Sequence, residues 1–257
     1  MSLLDLVLLC AGALAAGSIN GAIGSGSLVT LPILIALGVE PAAAIATNTI
    51  AMVLSALGGT LANRKQLIEE RREVTPLALI GVLGGVSGAL LLLFTSPSAV
   101  QIVVPVLIGL ALLMVVAQPL LTRWIGKRTK APADHPYRGP WLRIGVFGTS
   151  VYGGYFAAAQ GVLLIGVLGL ATRKPIRDIN GVKNLLTLLV NVAAAAAFAI
   201  SAAIGHVDVQ WLAAGVMAIA AFLGGYFGAS VAKRLPDFLL RSLIVIIAAG
   251  SLALSIW

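Results

Sequence analysis

Long apolar stretches, separated by short polar connections, cover almost the whole of this 257-residue chain. Six of the ten stretches are long enough to cross a bilayer as a helix, which takes about 20 mostly apolar residues. The other four are short and form two neighbouring pairs. The stretches cover approximately residues 3–19, 26–37, 42–62, 74–94, 99–121, 141–157, 161–171, 184–204, 209–232 and 238–257. This pattern predicts an all-α polytopic membrane protein.

A glycine-rich break separates the two members of each short pair. The first break lies in NGAIGSGSLVTLP, residues 20–32, and the second in GGYFAAAQG, residues 153–161. Glycine weakens a helix interior by about 1 kcal/mol relative to alanine, so we do not expect one continuous helix at either place. Residues 141–172 are also too few for two full crossings and a turn, which need about 40 residues. Each pair therefore predicts a broken or re-entrant helical hairpin.

The composition agrees with a membrane protein and excludes a soluble one. Hydrophobic residues make up 60% of the chain and charged residues 10%, whereas soluble domains have about 25% charged residues. The formal net charge is +8, but the basic residues lie at the ends of apolar stretches and not on one amphipathic face. We attribute this charge to membrane orientation and expect no nucleic-acid partner. The single cysteine excludes a disulfide framework.

The Lys and Arg residues predict on which side of the membrane each connection lies. All 17 fall into four clusters, within residues 64–72, 123–143, 173–183 and 233–241, and the connections around Glu40, at 95–98 and at 205–208 contain none. The positive-inside rule places the clusters in the cytoplasm and the other connections outside. We therefore expect a multi-pass protein of the bacterial inner membrane with both termini outside. Its first hairpin would enter from outside and its second from the cytoplasm.

Three pairs of similar segments at a nearly constant spacing indicate an internal duplication. The pairs are LGGVSGALL at 83–91 with LGGYFGASV at 223–231, TSP ending at Pro97 with RLP ending at Pro236, and IATNTI at 45–50 with GVKNLL at 181–186. Because the connection at 38–41 is predicted outside and its counterpart at 173–183 inside, the halves would have opposite orientations. The predicted domains are an N-terminal repeat at 1–122, a cytoplasmic linker at 123–140 and an inverted C-terminal repeat at 141–257, each repeat with one hairpin and three spanning helices. Transporters of this kind bind substrate near the midplane at the repeat interface.

The two breaks supply the first candidate binding residues. They are Asn20, Ser25, Gly26 and Ser27 in the first break and Tyr155, Gln160 and Gly161 in the second. Helix N-termini at such breaks offer unpaired backbone N–H groups and a positive dipole end, which together suit an anion. The alternative is that the glycines only let helices pack closely. The polar residues that accompany the glycines favour binding.

Two polar pairs at the start of the following long stretches form a second candidate group. They are Thr47–Asn48 and Lys183–Asn184, and the repeat places Asn48 opposite Asn184. Hydroxyl and amide groups in a membrane helix can bind substrate or brace neighbouring helices, and the matched asparagines favour a shared site. Lys183 would supply positive charge to an anion, or would be an anchor whose stem extends to the cytoplasmic interface.

Several chemistries are excluded by what the apolar stretches lack. No Asp or Glu lies deep in any of them, and both histidines fall in connections, so a proton relay of buried carboxylates or histidines is not expected. No catalytic pair, nucleophile–histidine arrangement or metal-ligand spacing can be assembled within the membrane. We therefore expect no enzyme activity, no cofactor and no metal. The expected partners are a small anionic substrate and the lipid bilayer, and a homodimer is left open.

Four segments resemble motifs of the sulfite exporter TauE/SafE family. They are AGSINGAIGSGSLVTLPILIALG at 16–38, VYGGYFAAAQGVLLIGVLGL at 151–170, INGVKNLLTLLVN at 179–191 and LGGYFGASVAKRLP at 223–236. The resemblance covers essentially the whole chain and implies an inner-membrane carrier of small sulfur-containing or carboxylate anions, such as sulfite, sulfoacetate or related organosulfonates. Two departures affect substrate choice, since Ser25 and Ser27 stand where the family often has consecutive glycines and Ala157 stands where glycine is expected.

Taken together, the sequence predicts an anion exporter that works by alternating access around a midplane site at the repeat interface. Sulfite, or an organosulfonate or other organosulfur anion, is the expected substrate. An anion channel with a continuous pore and a non-transporting membrane scaffold are the alternatives.

Overall fold

The computed structural model describes residues 2–22, 24–128 and 137–232. The helices in these ranges are α1 (Leu3–Ala22), α2 (Ser27–Ala36), α3 (Pro41–Ala62), α4 (Arg64–Phe94), α5 (Pro97–Arg128), α6 (Pro140–Phe156), α7 (Gln160–Thr172), α8 (Ile176–Ala203) and α9 (Trp211–Ala232). The described part contains no strand, and the predicted all-α class is confirmed. The apolar stretch at 238–257 and the basic cluster at 233–241 lie outside the described residues.

Five of the described helices, α1, α3, α4, α5 and α8, are long and apolar enough to cross a membrane by length and composition. The prediction of a multi-pass membrane protein is therefore confirmed. The stretch at 3–19 predicts a short arm, but α1 continues to Ala22 and contains 20 residues, about the length of a complete crossing. Helices α2, α6 and α7 are shorter, with 10, 17 and 13 residues.

Three helices extend into segments that the polarity pattern predicts to be connections. Helix α4 begins at Arg64, α5 continues to Arg128 and α8 begins at Ile176. The predicted connection at 173–183 is therefore wrong from residue 176 onwards, and Lys183 lies about two turns inside α8. Hydropathy marks the apolar layer and not the end of a helix, because Arg, Lys, Glu and Gln are themselves good helix formers.

Helix α3 begins at Pro41, one residue before the predicted apolar stretch at 42–62. Its N-terminus is fixed by Glu40, whose side chain accepts a hydrogen bond from the Ala43 N–H at 3.1 Å, and by Pro41 in the first turn. Both features are favoured at helix N-termini. Thr47 and Asn48 therefore also lie about two turns inside their helix, at nearly the depth that Lys183 has in α8.

Left-handed backbone conformations form both predicted breaks. Gly24 has φ +83° between α1 and α2, and Ala157 and Ala159 have φ +63° and +58° between α6 and α7. Glycine adopts this conformation freely, whereas it costs an alanine roughly 1–2 kcal/mol. The second break is therefore a strained turn that the surrounding packed helices hold in place. Both breaks lie at the positions predicted from the glycine-rich segments.

The helix contacts follow the same scheme in the two halves of the chain. Helix α1 packs against α9 and α4 against α6, while α9 also packs against α3 and α4 against α8. If α1, α3 and α4 correspond to α6, α8 and α9, each of these contacts has a counterpart in the other half. The matched glycines also make equivalent approaches: a Cβ at Gly84 would lie 2.9 Å from the carbonyl oxygen of Phe147, and one at Gly224 would lie 2.2 Å from that of Leu14. A duplicated chain predicts this pattern.

A polar cluster ties the start of α4 to the second half. Glu70 accepts a hydrogen bond from the Tyr137 hydroxyl at 2.8 Å and forms an ion pair with Lys174 at 2.6 Å. The Lys174 ammonium also lies 4.7 Å from the centre of the Tyr137 ring. Burial raises the pKa of Tyr137, and the hydrogen bond to Glu70 raises it further, so the hydroxyl stays protonated and donates. The connection after α7 is thereby held against α4.

Candidate functional site

The two breaks contact each other through one glycine from each. The backbone N–H of Gly161 donates to the carbonyl oxygen of Gly24 at 3.0 Å. A Cβ at Gly24 would lie 2.5 Å from the Cα of Gly161, and one at Gly161 would lie 2.4 Å from the Cα of Gly24. Neither position has room for a side chain. We call this contact of Gly24 with Gly161 the tip junction.

In the first hairpin, buried small and polar residues follow directly after Gly24. Ser25 is buried, and its Oγ has no hydrogen-bond partner among the described residues. Gly26 packs against α1, where a Cβ would lie 2.0 Å from the carbonyl oxygen of Ala16. Ser27 begins α2 and is buried. The absence of a side chain at Gly26 lets the two arms approach closely.

Asn20 lies at the other end of this break, in the last turn of α1. Its Nδ2 donates to the Oγ of Ser55, on α3, at 3.2 Å, and its side chain is largely buried. The amide therefore holds the end of α1 against α3.

In the second hairpin, Gln160 is the buried polar residue beside the tip junction. It begins α7 and is 1% exposed, and neither its Oε1 nor its Nε2 has a partner in the described part of the chain. Its side chain lies against Gly153, where a Cβ would be 2.2 Å from its Cδ. Tyr155 is placed differently, since it packs partly buried against the hydrophobic core.

On α3, the neighbouring residues Asn48 and Thr47 have different partners. Asn48 is fully buried, and its Oδ1 accepts a hydrogen bond from the Oγ1 of Thr30, on α2, at 2.6 Å. Its Nδ2 has no partner among the described residues. Thr47 Oγ1 accepts from the backbone N–H of Gln210, just before α9, at 3.0 Å. Asn48 therefore keeps donor capacity, whereas Thr47 links α3 to the start of α9.

Three side chains on one face of α8 donate to the C-terminal ends of α1 and α3. Lys183 Nζ donates to Asn20 O at 3.2 Å, Asn184 Nδ2 to Gly59 O at 3.2 Å and Asn180 Nδ2 to Gly21 O at 3.4 Å. The last carbonyl groups of a helix lack partners within it, and a cation there also complements the helix dipole. This face of α8 therefore connects the second half to the first.

Lys183 is a buried basic side chain without a counter-ion. It is 1% exposed and forms no ion pair with any described residue. An unpaired charge in a membrane interior costs about 3 kcal/mol or more. The amino group is buried against the end of α1, and the alternative of an anchor at the cytoplasmic interface stays a prediction.

The candidate residues separate into two groups by their contacts. Those at the tip junction, or joined to an element that forms it, are Asn20, Ser25, Gly26, Ser27, Asn48, Gln160, Gly161 and Lys183. Those engaged elsewhere are Thr47, Tyr155 and Asn184. No group of His, Cys, Asp or Glu suited to a metal ion occurs among the residues that the structure describes.

Three residues that contact the candidate site were not predicted from the sequence. Thr30, Ser55 and Asn180 each make a hydrogen bond to a candidate residue or to the end of α1. Asn180 lies one turn before Lys183 on the same helical face, and this spacing was the available signal. Thr30 and Ser55 are single hydroxyl residues in apolar stretches, and nothing in the sequence distinguishes them from residues that bond to their own helix.

The fold and this site define a class of protein: a multi-pass α-helical membrane protein in which two discontinuous helical hairpins meet among buried polar groups. Transporters commonly place discontinuous helices at their binding sites. A family model described as "Sulfite exporter TauE/SafE" matches residues 9–254. The chain belongs to the sulfite exporter TauE/SafE family and is a membrane transporter.

Similar proteins have been named in Escherichia coli. The chain is 27% identical over 250 residues to "Probable membrane transporter protein YfcA" of strain K12, and the alignment covers 92% of this chain and 84% of the relative. The YfcA proteins of the O6:H1 and O157:H7 strains match equally well. No solved structure is significantly similar.

Proposed function

We propose that this transporter moves a small oxyanion, sulfite or an organosulfonate, by alternating access around the tip junction. The observation that carries the proposal is a set of buried polar atoms, on the two hairpins and on α3, for which no partner occurs among the described residues. They are Ser25 Oγ, Asn48 Nδ2 and both side-chain polar atoms of Gln160. Leaving a buried polar group unpaired costs about 1–3 kcal/mol. An anion with several acceptor oxygens would pair with donors from all three side chains.

Lys183 supplies the charge complement that an anionic substrate requires. Its ammonium has three donors, and its one hydrogen bond within the described chain goes to the Asn20 carbonyl. An anion bound near the end of α1 would give this cation its missing counter-charge. The same arrangement disfavours a cationic substrate, because no described carboxylate pairs with Lys183.

The proposed transport mechanism follows from the closure of the site. Ser25, Asn48 and Gln160 are each 1% exposed or less, so substrate would enter only after helices move. The matching contacts of α1 with α9 and of α6 with α4 support two inverted halves that expose the site alternately to the two sides. In this scheme the protein lies in the bacterial inner membrane with both termini outside, and the site lies near the midplane.

The substrate class rests on chemistry and on the family. A trigonal or tetrahedral sulfur oxyanion presents several acceptor oxygens and no cationic group, which suits the donors at the tip junction. The description of the family model supports sulfite and export. Ser25 and Ser27 add hydroxyl groups at this position of the chain, which favours an anion with more oxygen acceptors than a simple carboxylate.

The experiment is flux of labelled anions into proteoliposomes that contain the purified protein. The panel comprises sulfite, thiosulfate, sulfoacetate, sulfolactate and acetate. We expect saturable flux of at least one sulfur oxyanion. Gln160→Glu, which preserves shape but adds negative charge at the site, should reduce that flux at least tenfold, while Gln101→Glu at an exposed position should leave it unchanged. Absence of flux for every anion would contradict the proposed function.

A further inference from the structure

The hydrogen bond between Thr30 and Asn48 joins the first hairpin to α3 in a fully buried place. Thr30 lies on α2, one turn beyond Gly26, and both Thr30 and Asn48 are 0% exposed. The Oγ1 of Thr30 donates to the Oδ1 of Asn48 at 2.6 Å, which is at the short end of such contacts.

This bond determines which polar atom of the Asn48 amide remains available to a ligand. A carboxamide has one acceptor oxygen and one NH2 donor group. The oxygen is occupied by Thr30, and the Nδ2 has no partner among the described residues. In this arrangement the Thr30 hydroxyl donates to the amide oxygen, and the NH2 group on the other side of the amide has no described acceptor. Asn48 is therefore a donor toward any ligand.

We infer that Thr30 is a positioning residue that makes Asn48 a hydrogen-bond donor and so selects substrates that present acceptors. The inference rests on the proposed function, because it concerns the same site, and adds a residue and a rule of selectivity to it. The substrate class it names is an oxyanion whose oxygens are deprotonated at the site. A ligand that offers a hydrogen-bond donor at this position would meet N–H groups and would be rejected.

A purely bracing role predicts a different arrangement. Asn20 with Ser55 and Asn184 with Gly59 also join helices, and none of the atoms in these two pairs remains buried without a partner. Asn180 also joins two helices and leaves its Oδ1 without a described partner, but that atom is an acceptor, whereas Asn48 leaves a buried donor, the group that an anion requires. Burying this unpaired donor costs free energy, and a bound ligand that accepts a hydrogen bond from Nδ2 would remove that cost.

The test uses two Thr30 variants and one control in the full-length protein in proteoliposomes. Thr30→Val keeps the shape and removes the hydroxyl, and Thr30→Ser retains it. The control is Thr60→Val on α3, because the Thr60 hydroxyl donates to the Ala56 carbonyl of its own helix. The probes are labelled sulfite and, separately, labelled sulfoacetate.

We expect Thr30→Val to raise KM for the transported probe about tenfold, the effect of losing one correctly oriented hydrogen bond, with kcat changed less than about twofold. Thr30→Ser should restore KM, and Thr60→Val should resemble the wild type. In an Asn48→Ala background, Thr30→Val should have no further effect on KM, because the two residues act as a unit. A bracing role would instead lower the unfolding temperature and kcat without this split.

A second variant keeps the inference testable if Thr30→Val folds poorly. Asn48→Asp retains an oxygen for Thr30 and replaces the Nδ2 donor by a second oxygen, so we expect it to abolish saturable uptake at neutral pH. Wild-type flux with normal KM in Asn48→Asp, or in a folded Thr30→Val, would overturn the inference while leaving the proposed function intact. If the wild type moves neither probe nor any other anion of the panel, the proposed function fails and this inference fails with it.

Discussion

At the scale of single residues, burial and partners distinguish binding candidates from bracing ones. Ser25, Asn48 and Gln160 are all buried with polar atoms that have no described partner. Asn184 instead donates to the Gly59 carbonyl and braces α8 against α3. The matched asparagines of the two halves therefore have different environments, which sequence similarity between the halves does not reveal.

The charge at Lys183 gives the residue-scale prediction. Lys183→Met removes the ammonium but keeps a flexible chain of similar length, and we expect it to reduce flux of the transported anion by about tenfold or more, the effect of losing a hydrogen bond to a charged group. Lys183→Arg should retain part of the flux. Flux of labelled sulfite, with detergent-solubilised thermal stability measured in parallel, is the readout.

The control for this substitution is Lys65→Met at an exposed position. It changes the total charge by the same amount and should leave flux near that of the wild type. Equal flux in Lys183→Met and Lys65→Met would mean that Lys183 only caps the end of α1.

Residue types and their approximate places were predictable from the sequence, but their hydrogen bonds were not. The glycine-rich breaks identify Ser25 and Gln160 because these polar residues accompany the glycines there. Thr30 could not be found in this way, because a threonine in a membrane helix commonly bonds to its own backbone. Only the packing of α2 against α3 makes its hydroxyl available to Asn48.

At the scale of helices, the tip junction depends on two glycines that approach more closely than any other residue type allows. Gly24 also needs its positive φ, whereas Gly161 is required only for space, since a Cβ there would lie 2.4 Å from the Cα of Gly24. Overpacking of this kind typically costs about 1–3 kcal/mol. It would also separate the hairpins and disturb the polar groups beside them.

We therefore expect Gly161→Ala to reduce anion flux at least tenfold and to lower thermal stability. The matched substitution is Gly148→Ala in α6, where a Cβ would meet no atom within 4 Å. Gly148→Ala should keep flux and should slightly raise stability, because alanine is the better helix former. Transport rates and unfolding temperatures of the two variants, measured side by side, decide the point; normal flux in Gly161→Ala would contradict a role for the junction in transport.

The positions of the helices followed from hydropathy, but their ends did not. The first break contains a glycine in left-handed conformation, and the second contains two alanines in that conformation. The glycine could be recognised in the sequence as a break residue, whereas the alanines could not. The start of α8 at Ile176 could not be recognised either, because Arg177 and Asp178 are polar residues that a helix accommodates easily. This early start is what places Asn180 and Lys183 on one face toward the ends of α1 and α3.

At the scale of the whole molecule, the sequence repeat and the helix contacts support the same proposal of two inverted halves. With α1, α3 and α4 matched to α6, α8 and α9, the contact of α1 with α9 corresponds to that of α6 with α4, and the contact of α3 with α9 to that of α8 with α4. The membrane orientation stays a prediction from the distribution of Lys and Arg. The orientation can be predicted from the sequence because the positive-inside rule needs only the positions of Lys and Arg along the chain. The contact between the two hairpins depends instead on tertiary packing.

Cysteine labelling tests the inverted orientation. In a background where the native Cys10 is replaced by serine, we expect Glu40→Cys in intact cells to react with an impermeant thiol reagent and Arg177→Cys not to react. Both positions are exposed, so both should react after the membrane is permeabilised. Reaction of both cysteines in intact cells would contradict opposite orientation of the two halves.

The most direct test of an anion carrier with a closed central site is counterflow. Proteoliposomes are loaded with unlabelled sulfite and diluted into a trace of labelled sulfite, and the experiment is repeated with sulfoacetate. A carrier predicts transient accumulation of label above equilibrium that is lost in Gln160→Glu and retained in Gln101→Glu. Label entry at a rate independent of the internal anion would indicate a continuous pore, and absence of entry for both anions would contradict transport of these anions altogether.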